Sequence, residues 1–289
     1  MGACGELGGL WFGFVQQSIV RSHHERTAPN RQVVCSRLSV GGLEDSHDRV
    51  YLPGLRTAVA KCLVDVEESK HFKSRRISSG KKVELFDGLG RVNKAEFIGF
   101  EKNRAEVLVG DTVKTKTPPI DLTAAIAFPK GARADWMVEK LTELGVSTII
   151  TLKTERSEGQ VSPSKLERWR RLAVSACKQC RRDFLPTIHT EETSIPQLAE
   201  RIRAKEWSVS IVAAFGGLPL NQVERRSSKC PVIIVGPEGG LTTSEEEQLL
   251  RSGCQPVSLG QNRLRVETAS IGLAASLLIA FDESGSQAS

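Results

Sequence analysis

"VIIVGPEGGLTTSEEEQLL", residues 232–250, takes an apolar, β-branched strand into a Pro/Gly loop and then into an acidic helix. A strand that is apolar on both faces belongs in a parallel sheet covered by helices on either side. In an open sheet of that kind, ligands sit beyond the carboxyl ends of the strands, which is where residues 236–241 fall. The loop "GPEGGL" is not G-x-G-x-x-G, and it lacks the Lys-Ser/Thr pair of a phosphate-binding Walker loop. Glu238 at its centre repels a phosphate and suits a neutral or cationic ligand held by backbone groups. Gly239 and Gly240 permit close backbone approach, and Pro237 fixes the entry. Thr242, Thr243 or Ser244 is expected to cap the helix, whose Glu245, Glu246 and Glu247 complement its positive end. From glycine spacing alone, a tight strand-to-helix connection that holds no ligand is the better reading.

The same texture extends upstream to about Asp121. "LTAAIAF" (122–128), "VSTIITL" (146–152) and "SVSIVAAF" (208–215) are apolar runs of strand length, alternating with amphipathic helices. One of these helices spans 135–144 and stops at Gly145. The class is therefore α/β with a parallel sheet. Between Asp48 and about Gly110 the runs are shorter and broken by turns: "RVYL" (49–52), "KKVELFDGLGRVNKAEFIGF" (81–100) and "RAEVLVG" (104–110). "DGLG" (87–90) supplies a hairpin turn, and the region reads as a small β-barrel domain. "DTVKTKTPPID" (111–121) is polar, ends in prolines, and is the expected linker. No repeat or low-complexity tract interrupts this plan.

Composition narrows the function. The 289 residues are 39% hydrophobic and 26% charged, an ordinary globular balance. Aromatics make up 5%, too few for a nucleic-acid binder built on stacking platforms. Seven scattered cysteines indicate free thiols in a reducing compartment rather than a disulfide framework. The single C-x-x-C, Cys177 to Cys180, lies in a helical pattern without a second ligand pair, so no metal is expected. No apolar stretch reaches the ~18 residues of a membrane span, and no membrane partner is expected. Residues 1–47 carry Arg21, Arg26, Arg31 and Arg37 among Ser, Gly and His without a strand or helix pattern. Two readings stand for them, an organellar transit peptide and a disordered tail.

A second stretch, "VSLGQNRLRVETASIGLAASLLIAF" (257–281), changes the balance for the glycine loop. A short strand ends at Gly260, a polar loop follows, and Leu264-Arg265-Val266-Glu267-Thr268 leads into an apolar helix. Taken with "GPEGG", with "PKGARADWMVEKLTELGVSTIITLKTERS" (129–157), with "KLERWRRLAVSACKQCRR" (165–182) and with the "FDG" of the barrel, the chain resembles the RsmE family of ribosomal-RNA methyltransferases, members of the SPOUT class. The likeness covers roughly 48–282. It implies a PUA-like RNA-binding domain over 48–112, a trefoil-knotted SPOUT methyltransferase domain over 121–282, a disordered tail over 283–289 and a homodimer. It implies S-adenosylmethionine as the methyl donor, without a metal, and N3 of a uridine in small-subunit (16S-type) ribosomal RNA as the target. The donor would lie against Gly236, Pro237, Glu238, Gly239, Gly240, Leu259, Gly260, Leu264 and Thr268. Arg265 is the candidate to stabilise charge on a uracil carbonyl, and Glu267 the candidate to accept the N3 proton. The other reading of these two residues is that they pair, with each other or across the dimer, and hold the fold. The chain departs from the family pattern at Lys178, where Glu is usual, at Val266 in LRTETA, and at Ser74-Arg75-Arg76 in place of "VLR". The first departure removes any role for a glutamate at that site.

Basic charge is concentrated where such a substrate would need it. Seven basic residues face one acidic residue between 165 and 182, a net of +6 that equals the excess of the whole chain. Helical spacing puts Arg168, Arg171, Lys178 and Arg182 on one face, opposite Leu166, Trp169, Ala173, Ala176 and Cys180. With Arg181, and with Arg49, Arg75, Arg76 and Lys81 of the barrel, they are the candidate contacts to RNA phosphates. Two other functions share these features: a ribose 2′-O or tRNA methyltransferase on the same fold, and a catalytically silent RNA-binding factor in ribosome assembly. Retention of 236–240, Arg265 and Glu267 argues against silence. If the transit reading holds, the substrate is organellar, with the chloroplast favoured over the mitochondrion; otherwise the protein is cytoplasmic.

Overall fold

The computed structural model describes residues 48–55, 60–114, 117–118, 120–157, 161–223 and 230–286. The N-terminal segment 1–47 and the last three residues of the expected C-terminal tail lie outside them. Among the described residues, no helix is long and apolar enough to cross a membrane.

The first lobe comprises β1 (Asp48–Tyr51), β2 (Ala60–Leu63), α1 (Val66–Ser74), β3 (Lys82–Phe86), β4 (Arg91–Glu101) and β5 (Arg104–Lys114). The strands pair in the order β1-β3-β4-β5-β2, parallel for β1 with β3 and antiparallel elsewhere. Among the described residues no β1–β2 pair closes this path. Val50, Phe72, Leu85, Phe97 and Val107 fill its core. Helix α1 is almost wholly polar in sequence; it forms because Asp65 caps it, accepting from the Glu68 amide at 2.7 Å, and because Phe72 is buried. Strand β5 continues to Lys114, so residues 111–114 extend the sheet rather than begin the linker expected there.

The second lobe comprises β6 (Thr123–Ile126), α2 (Ala132–Leu144), β7 (Thr148–Lys153), α3 (Pro163–Cys180), β8 (Thr187–Ile188), β9 (Thr193–Ser194), α4 (Ile195–Arg203), β10 (Val209–Pro219), β11 (Pro231–Val235), α5 (Thr243–Arg251), β12 (Gln255–Ser258) and α6 (Val266–Ser286). All its strand pairs are parallel, in the order β12-β10-β11-β6-β7-β8, with β9 also on β7. Every residue of β6 and β11 is buried. Alternation along a strand divides them between two cores. Ala124, Ile126, Ile149 and Ile233 face Met137, Leu141, Trp169 and Leu273 from α2, α3 and α6. Ala125, Ile150 and Ile234 face Ile195, Leu198 and Leu249 from α4 and α5. Helix α2 ends as expected, with Gly145 at φ +104° donating to Leu141 and Thr142 carbonyls. Helix α6 runs on to Ser286, so residues 283–286 are helical, not tail. Their polarity alone does not end a helix that no proline interrupts.

The lobes are fastened by charge and by glycine. The turn after β3 needs Gly88 (φ +76°) and Gly90 (φ +90°), and Asp87 Oδ1 accepts from the Leu89 and Arg91 amides at 2.7 and 3.0 Å. A Cβ on Gly90 would stand 2.3 Å from the Phe184 ring, and one on Gly88 2.6 Å from Leu185. In the opposite direction, Gly90 N–H donates to the Asp183 carbonyl and Leu185 N–H to the Gly88 carbonyl. Arg49, 5% exposed, pairs with Glu84 at 2.6 Å and with Asp183, and lies over the Phe86 ring. It also donates to the Cys177 and Arg182 carbonyls. Lys178 reaches back to both oxygens of Glu68, at 2.8 and 3.0 Å.

Candidate functional site

Strand β11 ends at Val235, and the turn that follows brings Leu241 back against Gly236, where a Cβ would meet it at 2.9 Å, so only glycine fits. Gly240, at φ +73°, donates to the Pro237 carbonyl at 2.8 Å and closes the loop. Thr242 then caps α5 in a reciprocal box with Glu245. The sequence assigns Glu245 to the helix dipole; the structure gives it a second duty. Its Oε2 accepts from the Thr242 amide, while its Oε1 accepts from the Glu155 amide, each at 2.9 Å. Arg156 donates to the Gly239 carbonyl at 2.8 Å. The segment after β7 therefore clamps the glycine loop from outside.

Two further segments face this loop. After β12, Ser258 Oγ donates to the Gly260 carbonyl at 2.9 Å, and Gly260 takes φ +132°. In β10 the register against β12 shifts between Ala213 and Leu218, and Phe215 emerges 78% exposed. Between these segments lies a cavity of about 540 Å³ past the carboxyl ends of β11 and β12. That volume and position are those of a small-molecule site in an α/β sheet. Of the candidate ligand residues, Gly236, Pro237, Glu238, Gly240, Leu259, Gly260 and Leu264 border it, as does Arg265. Gly239 does not; its carbonyl turns to Arg156. Thr268 is exposed on α6 and is not on the border. Residues 213–215, Glu246, Ser258, Asn262 and Arg263 border the cavity without having been anticipated.

Arg265 is exposed at the cavity and has no ion pair among the described residues. Glu267, 7% exposed in the first turn of α6, does not pair with it. The nearest cation among the described residues is Arg133, at the start of α2, whose Nη1 lies 3.9 Å from Glu267 Oε1 and whose Nη2 lies 3.2 Å from Glu238. Glu267 Oε2 is buried without a hydrogen-bond partner among the described residues. Arg133 is not singled out by any sequence motif. Its signal is position: it follows β6, and β6 pairs with β11, so both loops open on the same edge.

The candidate RNA contacts separate into two groups. Arg49 and Lys178 are consumed at the lobe junction described above. Arg182 donates to the Thr142 and Val146 carbonyls at 2.9 and 2.8 Å. It is not on the helix face assigned to it, because α3 stops at Cys180 and Arg181 takes a left-handed φ of +61°. The buried face of α3 accordingly includes Cys177 in place of Cys180. Arg168 and Arg171 are exposed, pairing only at the surface with Asp135 (2.8 Å) and Glu167 (4.0 Å). Arg181 is exposed 3.5 Å from Glu84. Arg75 and Lys81 reach Asp48 at 3.2 and 2.8 Å, and Arg76 is exposed beside them in sequence.

Fold and cavity are those of a methyltransferase that acts on RNA, and residues 116–278 match the family model described as RNA methyltransferase domain. Ribosomal RNA small subunit methyltransferase E of Synechocystis sp. is 33% identical over 205 residues, 69% of this chain and 67% of that protein. The protein of the same description from Mycobacterium bovis is 32% identical over 232 residues, 76% of this chain and 86% of its own. The chain belongs to the ribosomal RNA small subunit methyltransferase E family. A solved structure of such a protein from Neisseria gonorrhoeae, bound to S-adenosyl methionine, superimposes with a TM-score of 0.75 at 28% identity. The match covers 81% of this chain and 98% of that one.

Proposed function

We propose that this chain transfers the methyl group of S-adenosylmethionine to N3 of a uridine in small-subunit, 16S-type ribosomal RNA. The observation that carries the reading is the cavity bordered by both motifs, "GPEGG" and the segment up to Arg265. The donor is a sulfonium cation, and the border suits it: backbone groups of 236–238, 240 and 258–260, with Glu238 and Glu246 as acidic side chains. When bound, that donor supplies an electrophilic methyl group; the protein must orient the uracil and accommodate its negative charge as N3 loses a proton. Arg265, exposed at the cavity, is positioned to bond a uracil carbonyl whose charge grows. Glu267 lies behind the cavity border and accepts the proton through an intervening water. RNA reaches the site over the exposed Arg168, Arg171, Arg181, Arg75, Arg76 and Lys81.

The same reading includes a PUA-like role for the five-stranded lobe, a trefoil-knotted path through the second lobe and a homodimer. The return of β12 beside β10, rather than beside β11, supports the knotted path. Ile279, 61% exposed on the otherwise apolar α6, supports a partner subunit there. Residues 1–47 act as an organellar, plastid-type address, which fusion to a reporter tests. For the activity, small-subunit RNA lacking the modification is incubated with methyl-labelled donor, digested and resolved into nucleosides. N3-methyluridine is the expected product. A 2′-O-methylated nucleoside, or label in transfer RNA alone, overturns the assignment.

A further inference from the structure

Among the described strand pairs of the second lobe, only β10 with β12 breaks register. Ala213 and Leu218 both register with Val257, so the four residues between them are surplus to the ladder. A bulge of this kind bends a strand and re-aims a side chain. Two glycines hold it. Gly216 takes a left-handed φ of +77°, and a Cβ on Gly217 would stand 2.8 Å from the Pro256 main chain, which cannot swing aside as a side chain can. The side chain that the bulge turns outward is Phe215, on the border of the donor cavity. At 78% exposed it is the most open aromatic ring among the described residues, ahead of Trp136 at 47% and Phe100 at 45%. A lone apolar residue on a surface needs no explanation. One that a glycine-locked bulge sets at the mouth of a ligand cavity does.

We infer that Phe215 is the platform on which the target uracil of the RNA stacks when it enters the cavity. This deepens the proposed function and rests on it, because the base that stacks is the base that is methylated. The cavity offers two kinds of surface. Its buried lining, with Val235, Leu241, Val257 and Val266 beside the glycine-loop backbone, suits the donor. Phe215 and Arg265, also on its border, are exposed on the side from which RNA arrives. Toward a pyrimidine the two are complementary: a guanidinium bonds a carbonyl in the ring plane, and a phenyl ring covers a face. The electron pair with which N3 attacks lies in that plane. A partner on the face therefore orients the base without blocking the edge that must meet the methyl group. Stacking accepts any base, since every base has a π face. Phe215 sets the plane, and Arg265 sets which edge is presented. A chain with 5% aromatic residues cannot track RNA on many such rings, but one extruded base needs only one.

The test compares Phe215→Ala, Phe215→Leu and Phe215→Tyr in the full-length chain. Transfer of labelled methyl from S-adenosylmethionine to small-subunit RNA lacking the modification is measured as kcat/KM for the RNA. Loss of one base–aromatic stack should lower it by about 5- to 150-fold in Phe215→Ala. Phe215→Leu, which keeps apolar bulk but no π face, should fall nearly as far, and Phe215→Tyr should retain most of the activity. Donor affinity, read by calorimetric titration of Phe215→Ala with S-adenosylmethionine, should be unchanged, as should its thermal midpoint and sedimentation. Wild-type kcat/KM in Phe215→Ala or Phe215→Leu overturns the inference. So does donor affinity that falls in step with activity, because the ring then stacks on the adenine of the donor. A lowered thermal midpoint, or a smaller sedimenting species, also overturns it, because Phe215 is then a packing or subunit contact. Total label is counted whatever the nucleoside, so the variants judge the ring, and the identity of the methylated nucleoside separately judges the proposed function.

Discussion

Arg49 offers the sharpest contrast between what the sequence invites and what the structure does with it. Its burial at the lobe junction, between Glu84 and Asp183 and against two main-chain carbonyls, makes Arg49→Ala a removal of one partner from a buried ionic cluster. Such truncation costs about 3–5 kcal/mol when the remaining charge stays buried. Here Glu84 and Asp183 keep 22% and 17% of their side-chain exposure, so water relieves part of the penalty. Loss of the guanidinium over the Phe86 ring, 4.5 Å from its centroid, returns about 0.5–1 kcal/mol to the cost. The expected loss is about 3 kcal/mol, a shift in the urea midpoint large enough to read by tryptophan fluorescence. Arg49→Lys, which keeps the charge but not the fork, should recover less than half. RNA binding supplies the control. Were Arg49 to meet a phosphate, stability would hold within about 0.5 kcal/mol while the slope of log K against log salt flattened by about 0.7–0.9. That pair of results would refute the reasoning.

The exposed arginines carry the opposite expectation: Arg168→Ala with Arg171→Ala should leave stability within about 0.5 kcal/mol and flatten the salt slope by about 0.7–0.9 for each arginine that meets a phosphate. An unchanged slope would make that face merely solvated. Arg265→Ala should slow methyl transfer by about 10²-fold or more with donor affinity unchanged; parallel loss of thermal stability would make Arg265 structural. Burial, reinforced by the Lys178 ammonium, holds His71 below the usual imidazole value of 6.5, and burial with Arg201 does the same for His189. The unfolded chain then binds protons more readily, so the stability present above pH 6.5 is lost as pH falls through the folded-state values. Urea midpoints should fall on acidification, and less so in His71→Gln with His189→Gln; equal falls contradict this. Burial pushes the Cys177 and Cys254 thiols up to about 12. Iodoacetamide at about pH 8 should leave both unmodified in native protein, as read by peptide mass spectrometry, and alkylation of either before unfolding refutes that burial.

What the sequence could reveal follows from the range of the physics involved. Burial on both faces is written locally, so β6, β7, β10 and β11 are legible from apolar runs, and Gly145 from the chemistry of helix ends; the cap of α5 is legible only as one of Thr242, Thr243 and Ser244, and the structure selects Thr242. Polar α1 is not legible, since its one buried aromatic, Phe72, has no periodic companion. Charge misleads for a related reason. Counting cations along residues 165–182 registers density but not partners, and the partners of Lys178 and Arg49 lie 110 and 134 residues away in Glu68 and Asp183. A basic run is an RNA surface only where its cations stay exposed instead of being buried against partners from elsewhere in the chain, and tertiary folding decides that. Lys178, where the family pattern expects Glu, illustrates the point: it meets an acid from the other lobe instead of facing solvent.

The donor site divides along the same line. Two of its walls are continuous in sequence, and their motifs alone put Gly236–Gly240, Leu259, Gly260, Leu264 and Arg265 in view. The third wall depends on strand order. Strands β6, β7, β10, β11 and β12 lie in the order β12-β10-β11-β6-β7, so β11 is flanked by β10 and β6. That order sets residues 213–215 of β10 on one side of the glycine loop and Arg133, after β6, on the other. Nothing periodic in residues 123–133 advertises that neighbourhood. An arginine 105 positions before Glu238 and 134 before Glu267 meets both because the chain returns from β10 to insert β11 beside β6. Glu267 is thus readable as a carboxylate in a motif, but its partner is readable only from the order of the sheet.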